Sequence, residues 1–178
     1  MGGHTETAAL LIDKGANVNA QDVDNQTALI YAATWSRTET ATLLIEMGAD
    51  VNAQDRYNET ALICAAQRGH TETAALLIYK GADAQEITRS LFSRCSIQNL
   101  NKLRDWLLNQ GNIDEIQNIR SPYAKGIATI ISCAPNLDFE QIKSDCAQHN
   151  QSHQLHEIIK QCEAFHTNLH HSGPPILK

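Results

Sequence analysis

The stretch Gly15-Ala-Asn-Val-Asn-Ala-Gln-Asp22 decides the fold, because it returns as Gly48-Ala-Asp-Val-Asn-Ala-Gln-Asp55 and, more loosely, as Gly81-Ala-Asp-Ala84. Each step is 33 residues. Two other segments keep that period. Thr27-Ala-Leu-Ile-Tyr-Ala-Ala33 recurs as Thr60-Ala-Leu-Ile-Cys-Ala-Ala66, and Gly3-His-Thr-Glu-Thr-Ala-Ala-Leu-Leu-Ile12 returns two periods later as Gly69 to Ile78. Three segments locked to one period define a tandem array of one supersecondary unit.

The unit reads physically from end to end. Thr27 and Thr60 are N-caps, with a hydroxyl for the open amides of a first turn. The Ala-Leu-x-x-Ala-Ala that follows puts small residues on one helical face, so a second helix approaches closely. After a break at Gly69-His70, or Ser36-Arg37 in the copy before, Leu76, Leu77 and Ile78 supply the second helix with its apolar stripe. Gly15, Gly48 and Gly81 stop that helix in a left-handed conformation. The next segment holds turn residues and reads as an extended, hairpin-like finger, with Asn25 and Asn58 at its turn, where a positive φ is tolerable.

Over residues 1–86 this resembles the ankyrin repeat, whose pattern is Asp-x-x-Gly-x-Thr-Pro-Leu-His-x-Ala-Ala, then Gly-His, a Leu-rich helix and Gly-Ala-Asp-Val-Asn-Ala. Asn25 and Asn58 replace the turn glycine, Ala28 and Ala61 the proline, and Ile30 and Ile63 the histidine. Thr-Ala-Leu-Ile variants look like those of bacterial ankyrin proteins. The resemblance implies an all-α ankyrin-repeat solenoid, here capped by a C-terminal helical region. The first repeat (1–21) is partial, starting at its second helix with nothing to shield Leu10, Leu11 and Ile12, as if cut from a longer array. Full repeats span 22–54 and 55–87. A degenerate repeat over 88–116 follows from a shift of 30, which pairs Leu62 with Phe92 and Leu76-Leu77-Ile78 with Trp106-Leu107-Leu108, and sets Gly111 where Gly81 stood.

Residues 117–178 read as the helical cap. Ser121-Pro122 opens a helix through Cys133, which Pro135 ends. Asp138-x-x-Gln141 is a capping box for a helix through about Cys146. From Ser152, Leu155, Ile158, Ile159, Cys162, Phe165 and Leu169 make an amphipathic stripe, and 170–178 is expected to be a frayed tail.

Composition removes several function classes. Residues 1–86 carry five Lys and Arg against twelve acids, a net −7, and the remainder of the chain is close to neutral. Neither half offers a basic stripe, so no nucleic-acid partner is assigned. No apolar run approaches the ~18 residues of a membrane span, so no membrane partner is assigned either. Five cysteines, an odd number with irregular spacing, suit free thiols and a cytoplasmic location.

Two chemical constellations stand in the last third. Cys146, His149, His153 and His156 fall on one helical stripe and would suit a transition metal, whereas an exposed polar stripe is the plainer account. Cys162 and His166, one turn apart, would suit a nucleophile and base, but no glycine-rich oxyanion segment accompanies them. No metal, cofactor, catalytic residue or small-molecule substrate is assigned. The competing reading makes the Cys/His-rich helices the active part of an ankyrin-targeted enzyme or metal protein.

The preferred function is recognition of another protein. The resemblance implies that partners meet fingertips and exposed first-helix residues on a concave face: Val23, Asp24, Gln26, Thr34 and Trp35 in one repeat, and Arg56, Tyr57, Glu59, Gln67 and Arg68 in the next. It also implies that Asn19 and Asn52 suit modification by an asparaginyl hydroxylase. A secreted bacterial effector acting on a host protein in the host cytosol follows by family analogy alone.

Overall fold

Thr27 and Thr60 do what their positions predict: each side-chain oxygen accepts the backbone N–H three residues on, from Ile30 and Ile63, at 3.3 Å. The structure, a computed structural model, describes residues 3–108, 112–147 and 153–171. The elements are α1 (Gly3–Asp13), α2 (Ala28–Thr34), α3 (Thr38–Glu46), α4 (Ala61–Arg68), α5 (Thr71–Tyr79), α6 (Ala84–Arg94), α7 (Ile97–Leu108), a 3₁₀ turn (Ile113–Asn118), α8 (Pro122–Cys133), α9 (Phe139–Ala147) and α10 (His153–His171). They fall into two units, residues 1–83 and 84–178.

In the first unit each repeat is a helix, a tight break, a second helix and a finger. The second helices end alike. Gly48 has φ 89°, its N–H reaches the Ile45 carbonyl at 3.0 Å, and the Ala49 N–H reaches Leu44 at 2.9 Å. This double closure satisfies carbonyls that the helix end would otherwise leave open. The fingers are turns closed by one isolated bridge each, Gln21 to Thr27 and Gln54 to Thr60. Asn25 and Asn58 stand at φ 58° and 57°, as their place in the turn requires.

Packing is sequential: α2 lies on α3 and α4, α4 on α5, and the second helices α1, α3 and α5 stack in order. Ala33, Ala41, Ala65, Ala66 and Ala74 are fully sealed, and Leu29, Leu44, Leu62 and Leu77 are buried with them. Burying each such leucine contributes about 1.5–3 kcal/mol. Ile30 and Ile63, which stand where the family pattern has histidine, are buried too, so apolar packing occupies that place. Threonine hydroxyls join neighbouring second helices, Thr5 to Thr40 at 2.7 Å and Thr38 to Thr73 at 2.9 Å. Leu10 and Leu11 of α1 are more than half exposed, while Leu44 and Leu77, which match Leu11 by period, are buried. Among the described residues α1 packs chiefly on α3, whereas α3 and α5 are each paired with a first helix, α2 and α4.

The second unit is organised around α8, whose residues Gly126 to Ile131 are all buried. Ser121 caps it by accepting the Ala124 N–H at 3.3 Å, and Pro122 follows at the first helical position. Helices α6, α7 and α10 all lie against α8. Asp138 caps α9 through the Gln141 N–H at 2.9 Å. Gln85 of α6 grips the Asp138 peptide from both sides, donating to its carbonyl and accepting its N–H, each at 2.9 Å. Leu155, Ile158, Ile159 and Cys162 of α10 are buried, and Phe165 meets Trp106 edge to face at 5.1 Å.

The stretch expected as a degenerate repeat takes its main partners elsewhere. Helix α6 packs on α8 and α9, and α7 on α8 and α10, in place of the α6–α7 pairing that an ankyrin layer needs. The physical reason is size: the buried Phe92 and Trp106 stand where the array has Leu62 and Leu76, and they are bulkier than the leucines that let the helices of a repeat pair closely. The Gly111 stop lies outside the described residues. Helix α10 runs to His171, two residues into the expected tail; residues 172–178 lie outside the described part.

Candidate protein-binding face

Aspartates that sequence reading passed over build the fingertips. Asp22 Oδ1 accepts the N–H groups of Asp24 at 2.9 Å and Gln26 at 2.8 Å. Asp55 repeats the arrangement with Tyr57 at 2.8 Å and Glu59 at 2.9 Å. The Gln26 N–H, aided by that of Asp24, the Tyr31 hydroxyl and the Arg56 charge, holds the Asp22 carboxyl below its ordinary value. Tyr31, exposed on α2, donates its hydroxyl to Asp22 Oδ2 at 3.0 Å, and the bond pushes its phenol up. The signal for both aspartates is their recurrence one period apart at the start of each finger, where an Asx-type turn bonds the N–H two residues on, here Asp24 and Tyr57.

The predicted binding residues fall into two groups. At the fingertips the Arg56 N–H bonds the Asp24 carbonyl of the preceding finger at 3.0 Å, and its guanidinium pairs with the Asp24 carboxylate. The same guanidinium donates to the Tyr57 hydroxyl and lies 4.8 Å from that ring's centroid. The Tyr57 hydroxyl and then Asp24 hold the guanidinium above its ordinary value. Gln26 reaches Asp55 Oδ2 at 3.4 Å, and Val23 projects almost fully into solvent. At the ends of the first helices, the Arg68 guanidinium lies over the exposed Trp35 ring, 5.7 Å from its centroid. Cys64 links the groups, 4.0 Å from Glu59 Oε2 and bonded to Thr34. His70 fixes the end of α2 by bonding the Thr34 carbonyl at 3.2 Å. Gln67 is half-buried beside Arg68.

Asn19 and Asn52 have a structural duty. Asn19 donates to the Gly48 carbonyl at 3.0 Å and accepts the Asp50 N–H at 2.8 Å; Asn52 does the same to Gly81 at 3.3 Å and Asp83 at 3.2 Å. Each finger thereby grips the helix exit of the next repeat and fixes the spacing of the stack.

The candidate chemistry of α10 has a different geometry. Cys162 is wholly buried and its thiol is pushed far up by desolvation. His166 Nε2 donates to the Ala134 carbonyl at 2.7 Å, and its ring lies against Phe139 and His170. This is a packed pair, with the imidazole committed to the end of α8. Among the described residues no group of His, Cys, Asp and Glu is placed to hold a metal ion. Of the Cys146, His149, His153 and His156 stripe, only the His156 side chain is among those described.

Repeated helical hairpins with bonded fingers, invariant inside and varied along the tips, define the first unit as a repeat solenoid. The family model for ankyrin repeats matches in three copies over residues 1–90, and the chain belongs to the ankyrin-repeat family. No curated protein matches the chain. Ankyrin repeats are generally protein–protein interaction modules, and the family is typically non-enzymatic.

Proposed function

We propose that the chain binds a partner protein through the concave face formed by its fingertips and the exposed ends of α2 and α4. One observation carries this reading. Buried positions one period apart are identical, as in Leu29 and Leu62, Ile30 and Ile63, Ala33 and Ala66. The candidate face differs at every pair: Val23 and Arg56, Asp24 and Tyr57, Gln26 and Glu59, Thr34 and Gln67, Trp35 and Arg68. Other pairs outside the packed interior differ as well, Glu46 and Tyr79 or Met47 and Lys80 among them, but these five belong to the fingertips and first-helix ends, and none of the five is kept. Tyr, Trp and Arg are also the residue types that dominate interface energies.

The mechanism is rigid display. Finger-to-finger bonds hold the side chains before the partner arrives, so little ordering entropy is lost on association. By family analogy the reading extends to an effector that meets a host protein in the host cytosol, should the source be an intracellular bacterium. The test is affinity capture with the whole chain and with a Trp35→Ala, Tyr57→Ala variant, quantified by mass spectrometry. At least one protein retained by the parent should be depleted about tenfold or more by the variant; equal recovery of every captured protein refutes the assignment of the face.

A further inference from the structure

Trp35 and Arg68 occupy the same place in successive repeats, and the stack sets them side by side with both side chains exposed. The two arginines of the face are not in the same situation. Arg56 has its own acid, Asp24, and a second acceptor in the Tyr57 hydroxyl. Arg68 meets no carboxylate among the described residues; its recorded contact is the indole. A guanidinium lying over a π face keeps its edge N–H donors open, and that fork matches a carboxylate.

We infer that Trp35 and Arg68 form the anchor for an acidic side chain of the partner. The partner segment carries an Asp or Glu next to a large apolar residue. Its carboxylate takes the Arg68 fork, and the apolar group covers the part of the indole left open, since Trp35 is 63% exposed. This rests on the reading of the face proposed above and adds the chemistry of what it grips. The net −7 of residues 1–86 opposes an extended acidic ligand. Over distances beyond about 8 Å that field is screened at physiological salt, so a lone carboxylate in contact with Arg68 is governed by Arg68. The site therefore selects one acid in an apolar setting and rejects an acidic run.

The probe is a displayed library of random peptides of about twelve residues, which reach up to roughly 40 Å when extended, panned on the whole chain at physiological salt. Selected peptides should place Asp or Glu beside Leu, Ile, Phe or Trp more often than the input library does. A synthetic copy of the most enriched peptide should lose about tenfold in affinity to Arg68→Gln, with part of the loss restored by Arg68→Lys. Unchanged melting of Arg68→Gln confirms that the exposed substitution leaves the fold intact. No acidic enrichment, no selected peptide, or full affinity for Arg68→Gln overturns the anchor. Peptides weakened by Trp35→Ala with Tyr57→Ala but not by Arg68→Gln leave the face standing without this anchor. Peptides indifferent to all three substitutions overturn both.

Discussion

Residues 1–83 and 84–178 are both helical, yet they solve packing in opposite ways. In the first unit a helix meets its neighbours in the chain and their copies one period away, through alanines and through bonds that repeat with the sequence. In the second, α8 is enclosed by α6, α7 and α10, brought from distant parts of the chain, and Phe92, Trp106, Phe139 and Phe165 set the spacing. A periodic array is free to vary any position that faces away from the stack, because each repeat already carries its own packing code. A unit built on one central helix has less of that freedom. The difference explains why the variable positions assigned to partner contact lie in the array.

The sharpest way to break this comparison is a cavity on each side. Leu77 and Ile130 are fully buried, one in each unit, and truncation of either to Ala should cost about 2–5 kcal/mol. Buried thiols report where the loss is felt. Burial raises Cys64 to about 11 and lifts Cys162 much further, so neither is expected to react quickly at neutral pH while its unit is folded. Leu77→Ala should accelerate alkylation of Cys64 above all, and Ile130→Ala that of Cys162, read by mass mapping. If both variants expose both thiols equally, the two units open as one and the contrast fails. Rapid alkylation of Cys162 in the unaltered chain would revive it as a nucleophile.

The same contrast sets how much was legible in advance. The helices, caps and glycine stops of the array follow from the sequence because each signal appears at a fixed period and each contact is local. Thr27, Thr60 and Ser121 cap as their spacing predicts, and Asp138 does so by half. It accepts the Gln141 N–H, but its own N–H goes to Gln85 while the Gln141 side chain bonds Asp145, so the expected capping box does not close. The cross-strut roles of Thr38 with Thr73, and of Asn52 with Gly81, were not legible, because an exposed polar residue does not announce a partner some thirty residues away. In the second unit amphipathic spacing identified the buried side of α10 but not what lies against it. Nothing in the spacing of Cys162 and His166 says that the imidazole ends on the Ala134 carbonyl. On the face, the residue types were readable, whereas the pairing of Arg56 with Asp24 and of Arg68 with Trp35 came from the stack.

Smaller changes sharpen the comparison. Thr60→Ala removes the α4 cap and should cost about 0.5–2 kcal/mol in urea unfolding, and Ser121→Ala should cost a similar amount at α8. A loss confined to Thr60→Ala would mean that caps matter only where neighbouring repeats amplify them. Ser36 stands at φ 53° where the next repeat places Gly69 at φ 75°. Ser36→Gly should therefore raise stability by roughly 0.5 kcal/mol, relief of left-handed strain being partly offset by the added freedom of the unfolded chain. A fall in the unfolding midpoint would show that the Ser36 side chain contributes something its backbone strain conceals.

The smallest effect expected is at the first fingertip under acid. Asp22 sits below its ordinary value of 3.8, mainly because the Gln26 N–H donates to it, whereas in the unfolded chain it titrates near that value. A depressed carboxyl contributes stability that is present above the unfolded value and lost as pH falls through the folded one. Acidification below about 3.8 should thus loosen this turn while leaving the helices of the stack intact. Amide shifts of Asp24 and Gln26, followed by NMR from neutral pH downward, should titrate with a midpoint under 3.8, and Asp22→Asn should abolish the transition. A midpoint at or above 3.8 would mean that the aspartate does not organise the finger in solution. Arg56 and Tyr57 would then lose the preorganised neighbour against which they are displayed.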